Sequence, residues 1–393
     1  MEGLTALSAL LARGKRAVRE LFFWQELRLQ FRWQGRQVTG FTARQRAACS
    51  LREGGLLVAR DGCTRTQVAH LLGVKPHSVP PWSWEGELAL PDPHTVAAQL
   101  PPITLQVGVT GSRVAVVRPD GVFACTRPVV VDCENQAGET FTWVWGQAVP
   151  PLEPAKAGNA APPTGRLRAL LHPQPAAVLC HELFGHPLEA DAFFSGHSPW
   201  VGKLGTRVVT APLTVVDDPT AALPGGFHHD DEGERARRKV LVAAGTVKGL
   251  LADRTYGATF GAEPGNARRL SPHYAPYPRL SNVIAWVEEG MADPPLAEAR
   301  LEIVRVRSGL LLPGERALLL SVSESYLLAR GSRRACLSSY FLRLPLDGSG
   351  LRIVAGGCSP VPAAEPGWCG KGHQLLPAGA AAGWLLLDRV EVA

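Results

Sequence analysis

The second half of the chain is dominated by segments with the composition of β-strands. They are rich in Val, Leu and Ile, and turn-forming residues separate them. Strands that follow one another through short connections usually pair antiparallel, so this half is predicted to be built on antiparallel sheet, with one helix near its start at 178–191. The six segments are TRVVTAPLTVV (206–216), KVLVAAGTVKGLLA (239–252), LEIVRVRSGLLL (301–312), ALLLSVSESYLLAR (317–330), LRIVAGG (351–357) and WLLLDRVEV (384–392).

The first half mixes helices and strands. The opening residues are predicted to form an amphipathic helix, and residues 26–41 a hairpin that turns near Gln34 and Gly35. REGGLLVARDG predicts a further strand, and residues 64–73 (TRTQVAHLLG) predict a helix that begins at its threonine. Three or four more strands are expected over residues 103–146, with turns at TGS (110–112), PDG (119–121) and NQAGE (135–139).

Two proline-rich stretches interrupt these patterns. Residues 76–103 are predicted to form a loop, because proline has few places in a regular element. Residues 149–165 (VPPLEPAKAGNAAPPTG) predict a linker between two domains. The expected fold class is therefore α+β, with a smaller N-terminal α+β domain (1–148) and a C-terminal domain (166–393) dominated by antiparallel β-sheet.

Composition excludes several classes of protein. With 46% hydrophobic and 19% charged residues among 393, the chain is globular. The net charge of +6 is not concentrated in a basic cluster with interleaved aromatics, and no apolar run approaches 18 residues, so neither a nucleic-acid partner nor a membrane span is expected. Eight scattered cysteines without C-x-x-C spacing, and an N-terminus unlike a secretory signal, favour a cytoplasmic protein with reduced thiols.

One short motif points to metal chemistry. In HELFGH, His181 and His186 bracket Glu182 with a spacing of five residues. On a regular helix five residues advance about 500°, which leaves the two rings about 140° apart and unable to share an ion. A π-type turn would bring them together, and Gly185 with Pro187 favours such an irregularity. The motif therefore predicts that α geometry breaks between Leu183 and Pro187; the alternative is an ordinary helix end with Gly and Pro as stop signals.

If both imidazoles bind zinc, Glu182 is placed to take a proton from the attacking water. A catalytic zinc site then needs a third protein ligand. Spacing cannot choose among the candidates, since the ligand can lie far away in the chain. The candidates by residue type are Glu189, Asp191, His197, His228, His229, Cys358, Cys369 and His373.

Several ordered motifs resemble those of one family. HELFGHPLEAD resembles the H-E-x-x-x-H-x-L-E-x-D signature of the TldD/PmbA metallopeptidases, also called modulators of DNA gyrase. Further similar stretches follow in the family's order and approximate spacing, and together they cover about half of the chain. They are TVVDD (214–218), HDDEG (229–233), GNAR (265–268), PRLSN (278–282), SESYL (323–327) and GWCGK (367–371) with Gln374 and PAG (377–379).

The resemblance implies a site and an activity. In that family the cysteine of the last motif is the third zinc ligand, which falls on Cys369 here. The family cleaves short or unfolded polypeptides, with the substrate extended inside a closed dimer chamber. The chain is expected to form a homodimer or a heterodimer with a PmbA-like paralogue, and its intact motif resembles that of the catalytic partner. The alternatives are an inactive member that serves as a binding or stabilising subunit, and a zinc hydrolase that acts on a small amide.

Other polar residues have two readings each. Two pairs of acidic residues, in TVVDD and HDDEG, could support a metal ligand or hold calcium, but a role as turn residues between strands is the simpler interpretation. Arg268 or Arg279 could hold a substrate carbonyl or carboxylate, and a structural salt bridge is the alternative. The acidic residues in question are Asp217, Asp218, Asp230, Asp231 and Glu232.

Overall fold

The computed structural model describes residues 2–12, 19–34, 37–53, 56–84, 87–101, 105–156, 158–346, 351–364 and 367–393. Within these ranges strands outnumber helices by far, and the helices are short. Most strand pairs are antiparallel, and two pairs are parallel. The α+β class predicted from the sequence is confirmed. Every helix in the described part is too short or too polar to traverse a lipid bilayer.

The first part of the chain forms one antiparallel sheet with the strand order β3-β2-β1-β4-β6-β7, and β5 also pairs with β4. Helices α1 and α2 bury their apolar residues against one end of this sheet. The elements are α1 (Glu2–Ala12), β1 (Arg19–Gln34), β2 (Gln37–Glu53), β3 (Leu56–Asp61), α2 (Arg65–Leu72), α3 (Pro93–Ala97), β4 (Leu105–Arg118), β5 (Gly121–Thr126), β6 (Val130–Asn135) and β7 (Thr140–Val144).

Two local predictions for this part are confirmed. Helix α2 begins where expected, because the Thr64 side chain accepts a hydrogen bond from the backbone N–H of Gln67 and the Gln67 side-chain oxygen accepts one from the backbone N–H of Thr64, a capping box. The long hairpin of β1 and β2 is present. The predicted turn residue Gly35 lies outside the described residues.

Two other predictions are wrong. The TGS turn does not exist, because β4 continues through residues 110–112. Gly111 serves packing instead: a Cβ atom there would lie 2.7 Å from Cδ2 of Leu90. The proline-rich stretch 76–103 is not all loop, since Asp92 caps the short helix α3 within it.

The second part of the chain contains two larger sheets. One has the order β11-β10-β9-β14-β23-β20; the other has the order β15-β8-β24-β18-β16-β17 and closes on itself through β15 and β16. The elements are β8 (Arg166–Leu171), α4 (Pro173–Cys180), α5 (Ala190–Phe194), β9 (Leu213–Asp217), β10 (Lys239–Ala243), β11 (Thr246–Val247), α6 (Arg254–Phe260), β12 (Ala267–Arg268), β13 (Tyr277–Pro278), β14 (Asn282–Val287), β15 (Leu301–Leu312), β16 (Ala317–Ala329), β17 (Ser332–Cys336), β18 (Tyr340–Pro345), β19 (Ile353–Gly356), β20 (Val361–Ala363), β21 (Trp368–Lys371), β22 (Gln374–Pro377), β23 (Gly379–Ala382) and β24 (Leu385–Val392).

Helix α4 lies in the core between these sheets. Its residues from Pro175 to Cys180 are all buried, and they pack with β15 and β23. A helix that is apolar on every side is stable only when it is surrounded. Burial on all sides fixes the position of the helix end, and the HELFGH motif begins at the next residue.

Charged pairs join the first sheet to the rest of the chain. The buried Arg269 donates to Glu20 on β1 at 2.8 Å, and Arg52 on β2 pairs with Glu232 at 2.7 Å. The predicted domain limits at 148 and 166 stay a prediction; the stretch between them contains an isolated bridge from Ala160 to Leu337.

Candidate metal centre

The HELFGH motif continues α4 in π-helical geometry over His181–Gly185. The backbone N–H of His186 donates to the carbonyl oxygen of His181, five residues earlier. The two imidazole rings consequently lie on one side, with centroids 4.9 Å apart at an angle of 83°. The predicted break in α geometry is confirmed, and it resolves the five-residue spacing.

The neighbouring residues stabilise this break. Pro187 has no N–H, so the carbonyl oxygen of Leu183 lacks its usual donor four residues ahead. The indole N–H of the buried Trp200 donates to that oxygen instead, at 2.6 Å. Gly185 provides space, because a Cβ atom there would lie 2.7 Å from Cδ2 of Leu280. A single 3₁₀ turn, His186–Leu188, follows.

The third residue of the site, Cys369, lies on the hairpin of β21 and β22. Sγ of Cys369 on β21 lies 3.0 Å from Nε2 of His186. One ligand atom from each of His181, His186 and Cys369 lies within 4.8 Å of the others, and among the described residues no other group of three meets this condition. Zinc bonds of ~2.0–2.3 Å to nitrogen and sulfur place tetrahedral ligands ~3.3–3.6 Å apart. Since Nδ1 of His181 is also buried without a hydrogen-bond partner, this donor set fits a zinc ion.

The electrostatics of the three groups favour a thiolate. Burial opposes ionisation of Cys369, but the charge of His186 and hydrogen bonds to both imidazoles outweigh it, so the pKa of the thiol lies well below its usual value. Burial opposes protonation of His186, yet the charges of Cys369 and Glu189 raise its pKa well above the ordinary value. The two shifts both favour an imidazolium beside a thiolate. Thiolate is the form of cysteine that binds metals.

A buried carboxylate orients His186. Oε1 of Glu189 lies 3.3 Å from Nδ1 of His186 and accepts a hydrogen bond from the backbone N–H of Leu280 at 3.0 Å. Nζ of Lys371 donates to Glu189 and to Asp191, at 2.6 Å each. Burial opposes ionisation of Glu189, but His186 and Lys371 lower its pKa. Glu189 and Asp191 are therefore not placed as metal ligands; they and Lys371 form a network behind one ligand, as is usual for metal-bound histidine.

Both candidate arginines are buried and donate to backbone carbonyl oxygens. Arg279 is buried and donates to the carbonyl oxygen of Cys369 at 2.6 Å and to its Sγ at 3.3 Å. Arg268 is also buried and donates to the carbonyl oxygens of Leu280 and Pro377. Among the described residues neither arginine forms a salt bridge, so that expectation is wrong; a contact with substrate stays a prediction. Sequence reasoning missed Lys371 and Arg279 as positioning residues, although both lie inside motifs that resemble the family.

Glu182 faces open space beside His181, His186 and Cys369. It forms no hydrogen bond with the described residues, and its Cγ lies against Gly309 of β15. Burial raises the pKa of Glu182, and the charges of His181 and His186 partly offset this. Glu182 and Trp368 line both a pocket of about 360 Å³ at the ligands and a neighbouring cleft of about 1010 Å³. The carboxylate therefore stands where the two spaces meet.

The other candidates for the third metal ligand lie away from His181 and His186. His197 bonds Ser195, and His229 packs on Phe123 of the first sheet. Cys180 ends helix α4, and burial raises its pKa to about 12. His228, Cys358 and His373 lie exposed and outside the group of three.

The acidic pairs have structural roles. Asp217 accepts hydrogen bonds from Ser281 and Asn266, and Asp230 accepts three backbone N–H groups of its own turn and of β12. Asp231 pairs with Arg127 of the first sheet. In the described part they form no metal-binding group, which supports the interpretation as turn and packing residues.

The chain is similar to known proteins in sequence and in fold. A sequence profile of the PmbA/TldA metallopeptidase C-terminal domain matches residues 164–312. A metalloprotease of Archaeoglobus fulgidus is 32% identical over 220 residues, 55% of this chain and 51% of that protein. A metalloprotease TldD homologue of Haemophilus influenzae is 28% identical over 250 residues, 59% and 49% of the two chains. A zinc metalloprotease TldD homologue of Saccharolobus solfataricus is 30% identical over 117 residues, 29% and 26%.

The similarity in fold extends further than the similarity in sequence. The chain spans about half the length of the curated relatives it matches. The solved structure of TldE from Thermococcus kodakarensis superimposes with a TM-score of 0.67 at 13% identity, covering 100% of this chain and 99% of that one. The sequence of the second part is therefore similar to the TldD/PmbA metallopeptidases, and the fold of the whole length matches that of TldE.

Proposed function

We propose that this chain is a zinc-dependent peptidase that hydrolyses peptide bonds in short or unfolded polypeptides. The observation that carries the proposal is the convergence of His181, His186 and Cys369 within 4.8 Å, with the free carboxylate of Glu182 adjoining. Two imidazoles and a thiolate suit zinc, a borderline-soft ion. The metalloprotease names of the relatives support the same class of reaction.

Each residue of the site has a distinct task in this proposal. A bound zinc ion would lower the pKa of a coordinated water toward about 7 and polarise the scissile carbonyl. His181, His186 and Cys369 would hold the ion, while Glu189 fixes the ring of His186. Glu182 would accept the proton of the attacking water at its carboxylate and later deliver it to the leaving amine.

The shape beside Glu182 supports an extended substrate. The cleft of about 1010 Å³ runs between the first sheet and the metal centre. A groove of this size has room for several residues of an extended chain and none for a folded domain. Strand addition along a sheet edge would supply main-chain hydrogen bonds that do not depend on the substrate's sequence.

The proposal is tested by measuring zinc content and peptide cleavage on the same preparation. We expect about one zinc per chain, cleavage of unstructured peptides, loss of both on chelation, and recovery on addition of zinc. Cleavage that persists after complete removal of zinc contradicts the proposed mechanism. If peptides are not cleaved but small amides are, the zinc site stands and the substrate class is wrong.

The alternative function is a catalytically inactive subunit that binds or stabilises a peptidase complex. Such a subunit has no need of zinc or of an activating carboxylate. The presence of all four groups at one site favours catalysis. Zinc well below one per chain, unaffected by Cys369→Ala, would support the inactive subunit.

We also propose that the protein works as a homodimer or as a heterodimer with a PmbA-like paralogue, in the cytoplasm. The outer part of β2 supports a further contact, because residues 39–46 are exposed and β3 pairs only with residues from Ala48 onward. The eight cysteines, all free thiols, support a reducing compartment. Light scattering of the purified protein, alone and with the paralogue, would distinguish the two assemblies.

A further inference from the structure

The cleft that contains Glu182 has two walls of different origin. One wall is the polar face of the first sheet, to which β1, β4, β6 and β7 contribute; the other includes β15 and the metal-bearing segment. Arg28 and Arg32 lie on the same face of β1, because the register of β1 with β4 is continuous over Arg28–Thr110 and Arg32–Gln106. Both side chains line the cleft.

A third arginine faces the cleft from the opposite wall. Arg307 is the extra residue where the pairing of β15 with β16 shifts between Val306 and Ser308. Such bulges re-aim a side chain, frequently beside an active site, and Arg307 lines the same cleft. Arg307 lies two residues from Gly309 on β15, so the Cα atoms of these two residues are within about 7 Å of each other. Gly309 in turn lies against the side chain of Glu182.

Among the described residues, Arg28, Arg32 and Arg307 form no ion pair within 4 Å and donate no hydrogen bond, although the charge of Arg28 acts on Glu26 and Asp132. Nε of Arg28 is buried without a hydrogen-bond partner. Leaving such a group unpaired in a partly dry cavity costs free energy. The arrangement is therefore suited to an anion that enters from outside.

Acidic groups also face this space: burial raises the pKa of Asp132, and the charge of Arg28 partly offsets this. Asp132 and Glu134 belong to β6, which β4 separates from β1; strands two apart are about 9–10 Å from each other. The carboxylate of Asp132 lies over Gly108 of β4, where a Cβ atom would be 2.5 Å from its Oδ2. Glu182 is the remaining acid of the lining. The cleft thus carries arginines on β1 and β15 and acids on β6, and Asp132 balances the charge of Arg28 in part.

We propose that Arg28, Arg32 and Arg307 bind a carboxylate of the peptide substrate, so that the enzyme prefers peptides with a negative charge near the scissile bond. This inference rests on the proposed peptidase function and names a feature of its substrate. Arginine suits the task, because its planar donors match both oxygens of a carboxylate. The position of Arg307 places that carboxylate about two residues from the scissile bond. The source is either an acidic side chain or the C-terminal carboxylate of the peptide.

The test is a double-mutant cycle between protein and peptide. A set of unstructured peptides carries Glu or Gln at each position in turn, each with a free or an amidated C-terminus, and kcat/KM is measured by mass spectrometry. We expect an approximately tenfold preference for the charged peptide at one position, the effect of a charge-assisted hydrogen bond. Arg28→Gln and Arg307→Gln should each reduce the ratio toward one, and Arg307→Lys should retain part of it.

The controls separate this proposal from the peptidase function. Arg334→Gln, on exposed β17 and outside the cleft lining, should keep the full preference. If no peptide is cleaved, the peptidase function fails, and fluorescence anisotropy of the same peptides with Glu182→Gln protein still tests carboxylate binding. A preference that amidation abolishes identifies the C-terminal carboxylate; one lost only on Glu to Gln exchange identifies a side chain. Equal values for all peptides, or a preference that survives both arginine substitutions, would overturn the proposal.

Discussion

Nε2 of His186 and Sγ of Cys369 lie 3.0 Å apart although 183 residues separate them in the chain. His186 is held by the π-helical end of α4, and Cys369 by a two-stranded hairpin that Arg279 anchors through the Cys369 carbonyl oxygen. The site is complete only when both elements are in place. Metal affinity should therefore respond to residues of either element and to those that hold them.

Replacement of Cys369 should remove the metal. In Cys369→Ala protein we expect zinc affinity to fall by more than about 100-fold, since even residues behind a ligand cost 10–100-fold. Metal analysis after gel filtration measures the effect, and thermal unfolding should show a lower Tm because bound zinc stabilises the folded state. The matched control is Cys358→Ala, an exposed cysteine. Full zinc occupancy in Cys369→Ala would exclude Cys369 as a ligand.

Replacement of Glu189 should weaken the metal site without touching a ligand. In Glu189→Gln protein, His186 loses its charged partner and Lys371 loses one of two carboxylates. We expect zinc affinity to fall about 10–100-fold. Competition with a chromogenic chelator provides the measurement. Asp191→Asn removes a contact of Lys371 but none of His186, so its effect on zinc affinity should be smaller. Equal losses of zinc affinity in the two variants would mean that the contacts of Lys371, not the orientation of the His186 ring, support metal binding.

A methyl group at residue 309 should displace the proposed base. A Cβ atom in Gly309→Ala would lie 2.6 Å from Cγ of Glu182, closer than van der Waals contact permits. We expect kcat to fall about 10²-fold, as for a misplaced catalytic group, while zinc stays bound. Gly314→Ala, where nothing lies within 4 Å, is the control. Unchanged kcat in Gly309→Ala would show that the position of Glu182 is not critical.

Acid should break a contact that anchors the start of α4. Glu302 on β15 binds Arg333 through both oxygens and His172, the residue that precedes α4. Burial opposes ionisation, but these partners lower the pKa of Glu302 to about 2. Because the folded pKa lies below the unfolded one, the stabilisation is full above about pH 4.5 and is lost as the pH falls toward 2.

The pH dependence can be isolated by comparing two proteins. We expect Glu302→Gln to lower the free energy of unfolding by about 2 kcal/mol at pH 7, and the difference from wild type to shrink between pH 4.5 and 2. Urea unfolding at several pH values measures it. Glu298→Gln, at an exposed ion pair with Arg168, should change little. A difference that stays constant to pH 3 would contradict this role.

Local features of the fold were predictable from sequence. The bounds of β15 coincide with the predicted segment, the Thr64 cap begins α2, and Gly185 with Pro187 indicated the π-helical turn. Each depends on residues close together in the chain. Gly111 was misread as a turn because its neighbour Leu90 comes from a distant loop.

The site was predictable only in part, for the same reason. Composition and spacing left eight candidates for the third ligand, and resemblance to a family selected Cys369. The roles of Lys371 and Arg279 depend on contacts across about 90 to 182 residues of chain. No periodicity encodes such contacts, so they emerge only from the fold. The unpaired arginines of the cleft are likewise visible only once two walls face each other.

The central claim is that Glu182 activates water beside zinc held by His181, His186 and Cys369. The most direct test is the rate of peptide cleavage by Glu182→Gln protein at a zinc content equal to that of wild type. We expect one zinc per chain and a fall in kcat of about 10²–10⁴-fold, the usual contribution of general base catalysis. Cleavage at the wild-type rate by the zinc-loaded variant would contradict it.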